Sequence, residues 1–254
     1  MRHTVFTIIK LILFYFAYQL GFSTVAMGVS LITPMDTITM TSIAMVASTL
    51  VMAWHLIHFD YVKLSHDRFR TVTLPVLGVS VVFIFAAMYV LNLLIEQMGI
   101  PNTMEDTFIA MSRNPIGILS IALLAPILEE LLFRGAIQGA LHRTIKNPRV
   151  AILIASLIFG VVHMNPAQIP FAFLLGMIFG WLYYRTESLL PGIVGHVLNN
   201  SVASVNMILY GNATIEEQMP SSAEMWLLAA IATVVFCLAA AWLNKRLKKR
   251  GGLS

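Results

Sequence analysis

The stretch Pro126-Ile127-Leu128-Glu129-Glu130-Leu131-Leu132-Phe133-Arg134 sets two carboxylates and a guanidinium inside an apolar run that extends from about 116 to 140. An ionised side chain near the middle of a bilayer costs at least ~2.5–3.5 kcal/mol, so all three must be paired or functional. Helical spacing puts Glu130 and Arg134 one turn apart on one face, with Gln138 continuing the stripe, and turns Glu129 about 100° away. Glu130 with Arg134 therefore reads as a structural ion pair. Glu129 has no such partner on its face and reads as chemistry directed into a cavity. Pro126 cannot donate to the carbonyl of Ala122, which predicts a kink or an opening to water one turn before Glu129.

Outward from this stretch the chain is built for lipid. Of its 254 residues 58% are apolar and 11% charged, against roughly 45–50% and 25% in soluble domains. The apolar residues fall in runs at about 5–32, 38–58, 72–95, 116–140, 150–164, 168–184, 189–209 and 225–243, most near the ~20 residues a crossing helix needs. The expectation is an all-α, polytopic membrane helical bundle of about eight transmembrane helices around an intramembrane polar cavity. The pair 150–164 and 168–184, split by Asn165-Pro166-Ala167, reads as a hairpin that crosses incompletely or tilts. The run after Met1-Arg2-His3 is too long for the ~7–15-residue core of a signal peptide and is taken as a retained span.

Charge placement supplies an orientation, because short loops rich in Lys and Arg stay cytoplasmic. Eight spans put both termini inside, together with 14 of the 16 basic residues: Arg2, Lys10, Lys63, Arg68, Arg70, Arg143, Lys146, Arg149, Arg185, Lys245, Arg246, Lys248, Lys249 and Arg250. Asp36, Glu96, Glu105, Asp106, Glu216, Glu217 and Glu224 fall on the other side, with Arg113 their only cation. The net charge of +4 resides in loops rather than on a basic reading face, which excludes a nucleic-acid partner. The single cysteine, Cys237, can form neither an internal disulfide nor a cysteine-metal framework.

Two more polar sites interrupt apolar segments: Phe159-Gly-Val-Val-His163, and His196-Val-Leu-Asn199-Asn200, in which His196 and Asn200 share a face at i, i+4. Either histidine alone would read as a satisfied interhelical group, and Asn200 alone as interhelical glue. Together with Glu129 they are parts for hydrolysis. A carboxylate and an imidazole can activate water, and a further His/Asn pair can donate to a developing oxyanion. Asn199, facing away, is expected to bond a neighbouring helix. His55, His58 and His66 are expected near the inner interface, where Trp54, Tyr183 and Tyr184 look like anchors.

Glu129-Glu130-x-x-x-Arg134, then Phe159-x-x-x-His163, then His196-x-x-x-Asn200 resembles the CAAX protease and bacteriocin-processing (CPBP, or ABI) family of intramembrane proteases, which includes the type II CAAX prenyl endopeptidases. The resemblance implies a helical bundle around a conical chamber open to membrane and cytoplasm. It implies that Glu129 is the general base, that His163 helps hold the water, and that His196 and Asn200 stabilise the oxyanion. Glu130 and Arg134, with Phe159, would support the site. One integral membrane protease domain over 1–254 follows, with its motif-bearing core at about 116–209.

Family members are often labelled metalloproteases. Glu129, His163 and His196 could supply three zinc ligands with an open position, but no His-Glu-x-x-His helix is present. A metal-free, glutamate-activated water is favoured, with zinc as the alternative. The partners implied are the lipid bilayer and a membrane-associated peptide or protein, whether bacteriocin-like, signalling or CAAX-like, and the short basic tail suits a bacterial cytoplasmic membrane. A non-hydrolytic immunity protein or peptide transporter would use the same polar residues to line a pathway, but the internal symmetry common in transporters is not evident.

Overall fold

The computed structural model describes residues 1–63 and 72–247. Arg68, Arg70, Lys248, Lys249 and Arg250 of the charge argument, and His66, expected near the inner interface, lie outside the described residues. The regular structure among the described residues is helical. The helices are α1 (Arg2–Ser30), α2 (Thr37–His58), α3 (Leu74–Gln97), α4 (Glu105–Ser112), a composite α5 (Pro115–Thr144), α6 (Pro148–Val161), α7 (Gln168–Thr186), α8 (Leu190–Tyr210), α9 (Ile215–Gln218) and α10 (Ser222–Arg246).

Helix starts are written in the sequence. Asp36 accepts from the backbone N–H of Thr39 at 2.9 Å and from its hydroxyl at 2.7 Å. These bonds cap α2 and hold the Asp36 carboxyl below its ordinary range. Asn147 caps α6 by accepting from Arg149 N at 3.0 Å, with Pro148 in the first turn. Thr214 and Glu217 close a reciprocal capping box on α9.

All eight apolar runs are helical, and five of the helices are long and apolar enough to cross a membrane: α1, α2, α3, α5 and α10. At 14 residues, α6 is about 21 Å long, short of the ~30 Å hydrocarbon core. α7 and α8 have the length, 19 and 21 residues, but polar residues such as His196, Asn199 and Asn200 dilute α8. The exposure pattern is that of a membrane protein: Leu13, Leu20 and Val25 of α1 and Leu227, Val234 and Leu238 of α10 are exposed, while Glu130 and Arg134 are buried.

α6 and α7 form a tight hairpin, α10 packs along α3, and α1 along α2. The hairpin closes so far that a Cβ on Gly160 would sit 2.7 Å from the carbonyl oxygen of Ile169. Two side chains expected at the interface are instead interior: Tyr183 is packed in the core, and His55 is buried with Nδ1 2.9 Å from the Tyr18 hydroxyl. Both lie on helix faces that meet a neighbour, which their distance from the helix end does not reveal.

The composite α5 carries the site. Asn114 caps it, accepting from Ile116 N and Gly117 N, and π-helical turns occupy Leu119–Leu124 and Glu130–Gln138. In the first, Ala125 N–H reaches back to Ser120 O. In that register the next donor, to Ile121 O, would be residue 126, and proline has no N–H. Asn200 of α8 supplies the bond, donating from Nδ2 to Ile121 O at 2.9 Å. Pro126 thus leaves the Ile121 carbonyl without a backbone donor in this register, and an interhelical amide supplies one.

Candidate active site

The second π-helical turn presents its polar side chains inward, with Glu130, Arg134 and Gln138 all buried. π-turns of this kind recur at functional sites. Arg134 Nη1 lies 3.0 Å from Glu130 Oε1, a charge pair with both side chains at most 2% exposed. The rest of the guanidinium is used as well. Nη2 donates to Gly176 O of α7 at 3.3 Å, and the plane lies over the Phe159 ring at 4.3 Å and the Phe179 ring at 5.2 Å. Gln138 repeats the pattern one turn on, donating to Gly180 O at 2.9 Å. The ion pair and the Gln138 stripe thus follow the spacing of the sequence.

His196 stands between the two glutamates. Nδ1 is 3.1 Å from Glu130 Oε1, and since a carboxylate accepts, the ring donates there. The opposite nitrogen, Nε2, faces Glu129 Oε2 at 3.6 Å. That oxygen is buried and has no hydrogen-bond partner. The ring is wedged by Phe179, centroid to centroid 5.0 Å, and by the edge of Phe159 at 5.9 Å. Glycine at 192 is needed for this approach, because a Cβ there would fall 2.6 Å from Glu130 Oε2.

His163 is placed differently from the expectation that pairs it with Glu129. It lies beyond the end of α6, its Nδ1 donating to Phe159 O at 2.7 Å and its ring edge-on to Phe159 at 4.9 Å. With Nδ1–H so engaged, Nε2 is the nitrogen left for a ligand. The imidazole facing Glu129 is that of His196. Asn200 shares its face with His196 but has one amide hydrogen committed to Ile121 O, and Asn199 donates to Asn200 Oδ1 at 2.6 Å rather than to another helix.

No group of three His, Cys, Asp or Glu side chains able to hold a metal ion is present among the described residues. Glu129 and His196 converge, but His196 Nδ1 is taken by Glu130 and His163 is turned to its own helix. The donor set proposed for zinc is therefore not assembled in this arrangement, and no step is derived through it.

Several contributors had no signal in the sequence. Phe179, Gly176 and Gly192 act through contact or close approach alone.

A helical bundle with five helices able to span a membrane, among which Glu129, His196, Glu130 and Arg134 cluster, is the architecture of an integral membrane protein. The profile of the Rce1-like type II CAAX prenyl endopeptidase family matches residues 112–202, the segment that carries the motifs. Curated relatives include the membrane-embedded CAAX protease MroQ of Staphylococcus aureus (strain USA300), 35% identical over 114 residues, 43% of this chain and 46% of that protein. The putative membrane peptidase YdiL of Bacillus subtilis (strain 168) is 33% identical over 104 residues, 41% of this chain and 42% of that protein. YxdF of Lactococcus lactis subsp. lactis (strain IL1403) is 28% identical over 172 residues, 65% of this chain and 89% of that protein. The matched region thus spans less than half the length of MroQ and of YdiL. No solved structure matches the chain.

Proposed function

We propose that this chain is an intramembrane endopeptidase that hydrolyses peptide bonds of membrane-associated peptides or proteins with a water activated by Glu129. The observation that carries the reading is Glu129 Oε2 facing His196 Nε2 across 3.6 Å, a carboxylate and an imidazole close enough to share one water. In the proposed reaction Glu129 takes a proton from water as the water oxygen bonds to the scissile carbonyl carbon. The carbonyl oxygen becomes an oxyanion, and collapse breaks the C–N bond while Glu129 returns the proton to the departing amine.

Glu130 orients His196 through Nδ1 and is itself held by Arg134, which aims His196 Nε2 at the reacting centre; for Nε2 to donate to the oxyanion while Nδ1 donates to Glu130, the ring acts there as an imidazolium between the two glutamates. His163 offers Nε2 to the water from the other helix hairpin. Asn200 retains a second amide hydrogen for the oxyanion, and a second reading, that it acts mainly by closing α5 at Ile121, is favoured by its bond there. The chemistry would occupy about 116–209 of a single domain, within a polar chamber enclosed by all eight helical segments. Substrates would be bacteriocin-like, signalling or CAAX-like chains, a reading supported by the matching family profile and by the likeness to the CAAX protease MroQ.

The test is incubation of the purified protein in lipid nanodiscs with a library of membrane-anchored peptides, read by mass spectrometry. Cleavage that persists after exhaustive chelation, with little bound metal, is expected. Absence of any cleavage would favour a non-hydrolytic immunity or transport role. One zinc per chain, lost with activity and restored with it, would overturn the glutamate-only mechanism.

Both termini are proposed to be cytoplasmic in a bacterial cytoplasmic membrane, on the charge asymmetry of the loops. Reporter fusions after residues 100 and 215 should read as external. A cytoplasmic signal at both would sink this orientation.

A further inference from the structure

The turn that carries His163 is an unusual place for a functional side chain. α6 ends at Val161, so the backbone of His163 is outside the helix, in a turn closed by His163 N–H on Gly160 O and Met164 N–H on Val161 O, each at 3.2 Å. Met164 then adopts φ 53°, the left-handed region that a non-glycine residue occupies only when its surroundings hold it there. Met164 and Pro166 are exposed on this turn, whereas Asn165 between them is buried.

The buried residue ties the turn to a distant part of the chain. Asn165 is fully buried. Its Nδ2 donates to Asn102 Oδ1 at 2.7 Å, and its Oδ1 accepts from Thr103 N at 3.3 Å, so both ends of the amide grip the loop between α3 and α4. Its carbonyl accepts from Gln168 N and Ile169 N, each at 3.0 Å, which starts α7. One side chain therefore joins three things: the turn of His163, the first turn of α7 and the loop of residues 98–104.

We propose that Asn165 is a positioning residue for His163, and that loop 98–104 is a strap which fixes the histidine through it. The proposal rests on the catalytic reading of His163 above and adds what sets that ring's place. A helix interior would orient the ring by its own ladder. A ring on a turn after the helix end depends on what pins the turn, and an error of about 1 Å at such a group can cost about 100-fold in turnover.

The experiment uses the full chain in lipid nanodiscs, with Asn165→Ala, the gentler Asn102→Ala at a half-buried site, and the double variant. Amide hydrogen exchange is measured first in a Glu129→Gln background, so that it does not depend on catalysis. Exchange in both 98–104 and 162–169 is expected to rise about tenfold or more in each variant. On a peptide that the parent cleaves, kcat should fall about 10- to 100-fold with KM within about twofold, since the peptide's binding contacts are elsewhere. The double variant should be no worse than Asn165→Ala, because both remove one linkage. Unchanged exchange at 162–169, or losses that multiply in the double variant, would overturn the strap. A chain in which His163→Ala retains full turnover would instead overturn the catalytic reading, while the exchange result would still decide whether the strap exists. If Asn165→Ala does not fold, Asn102→Ala alone decides it.

Discussion

Glu129→Gln is expected to lower peptide cleavage by about 10²–10⁴-fold, the range a general base contributes, with insertion and folding intact. The amide preserves shape and can still meet His196 Nε2, but it cannot take a proton from water. Glu129 is also the less buried of the two carboxylates, at 14% against 1% for Glu130, and makes no ion pair with Arg134. Its neutralisation should therefore leave the scaffold nearly unchanged. The measurement is turnover on a membrane-anchored peptide beside thermal unfolding in the same detergent. Turnover above about a tenth of the parent would show that some other group activates the water.

Glu130→Gln should behave in the opposite way and fail first as a structure. It leaves Arg134, 2% exposed, with a carbonyl and two aromatic faces but no counter-charge. Removing one partner of a buried ion pair costs about 3–5 kcal/mol. The unfolding midpoint should drop sharply and activity should fall with it, since His196 loses the carboxylate that orients Nδ1. Glu130→Gln combined with Arg134→Met removes both charges and should recover most of the stability without recovering turnover. If the double variant were as unstable as the single one, the pairing energy assigned to Glu130 and Arg134 would be wrong.

What the sequence discloses about this site is what helical spacing can carry. The i, i+4 relation of Glu130 to Arg134 and Gln138, the helical runs and the missing N–H at Pro126 are local properties, and each is found where spacing puts it. The identity of the imidazole facing Glu129 is not local. His163 and His196 are equally plausible along the chain, and only the docking of α8 against α5, close enough to demand Gly192, brings His196 to the carboxylates. The π-turns were equally hidden, because they arise from how α5 meets its neighbours. The eight apolar runs are legible as helices, yet a hydropathy average does not establish that the short α6 or the polar α8 crosses. His55 and Tyr183 make the same point, since nearness to a helix end does not say which face is covered.

The bond from Asn200 to Ile121 ties two distant positions into a single hydrogen. Proline at 126 leaves a carbonyl of α5 bare, and a side chain 79 residues away finishes a helix that the chain could not finish by itself. Any other residue at 126 would bring back an N–H and compete for that carbonyl. Asn200 would then be turned loose beside the glutamates, and α8 would lose one of the threads that hold its register against α5. The imino acid and the amide are in this sense one unit of inheritance: a chain that changes the first changes the duties of the second.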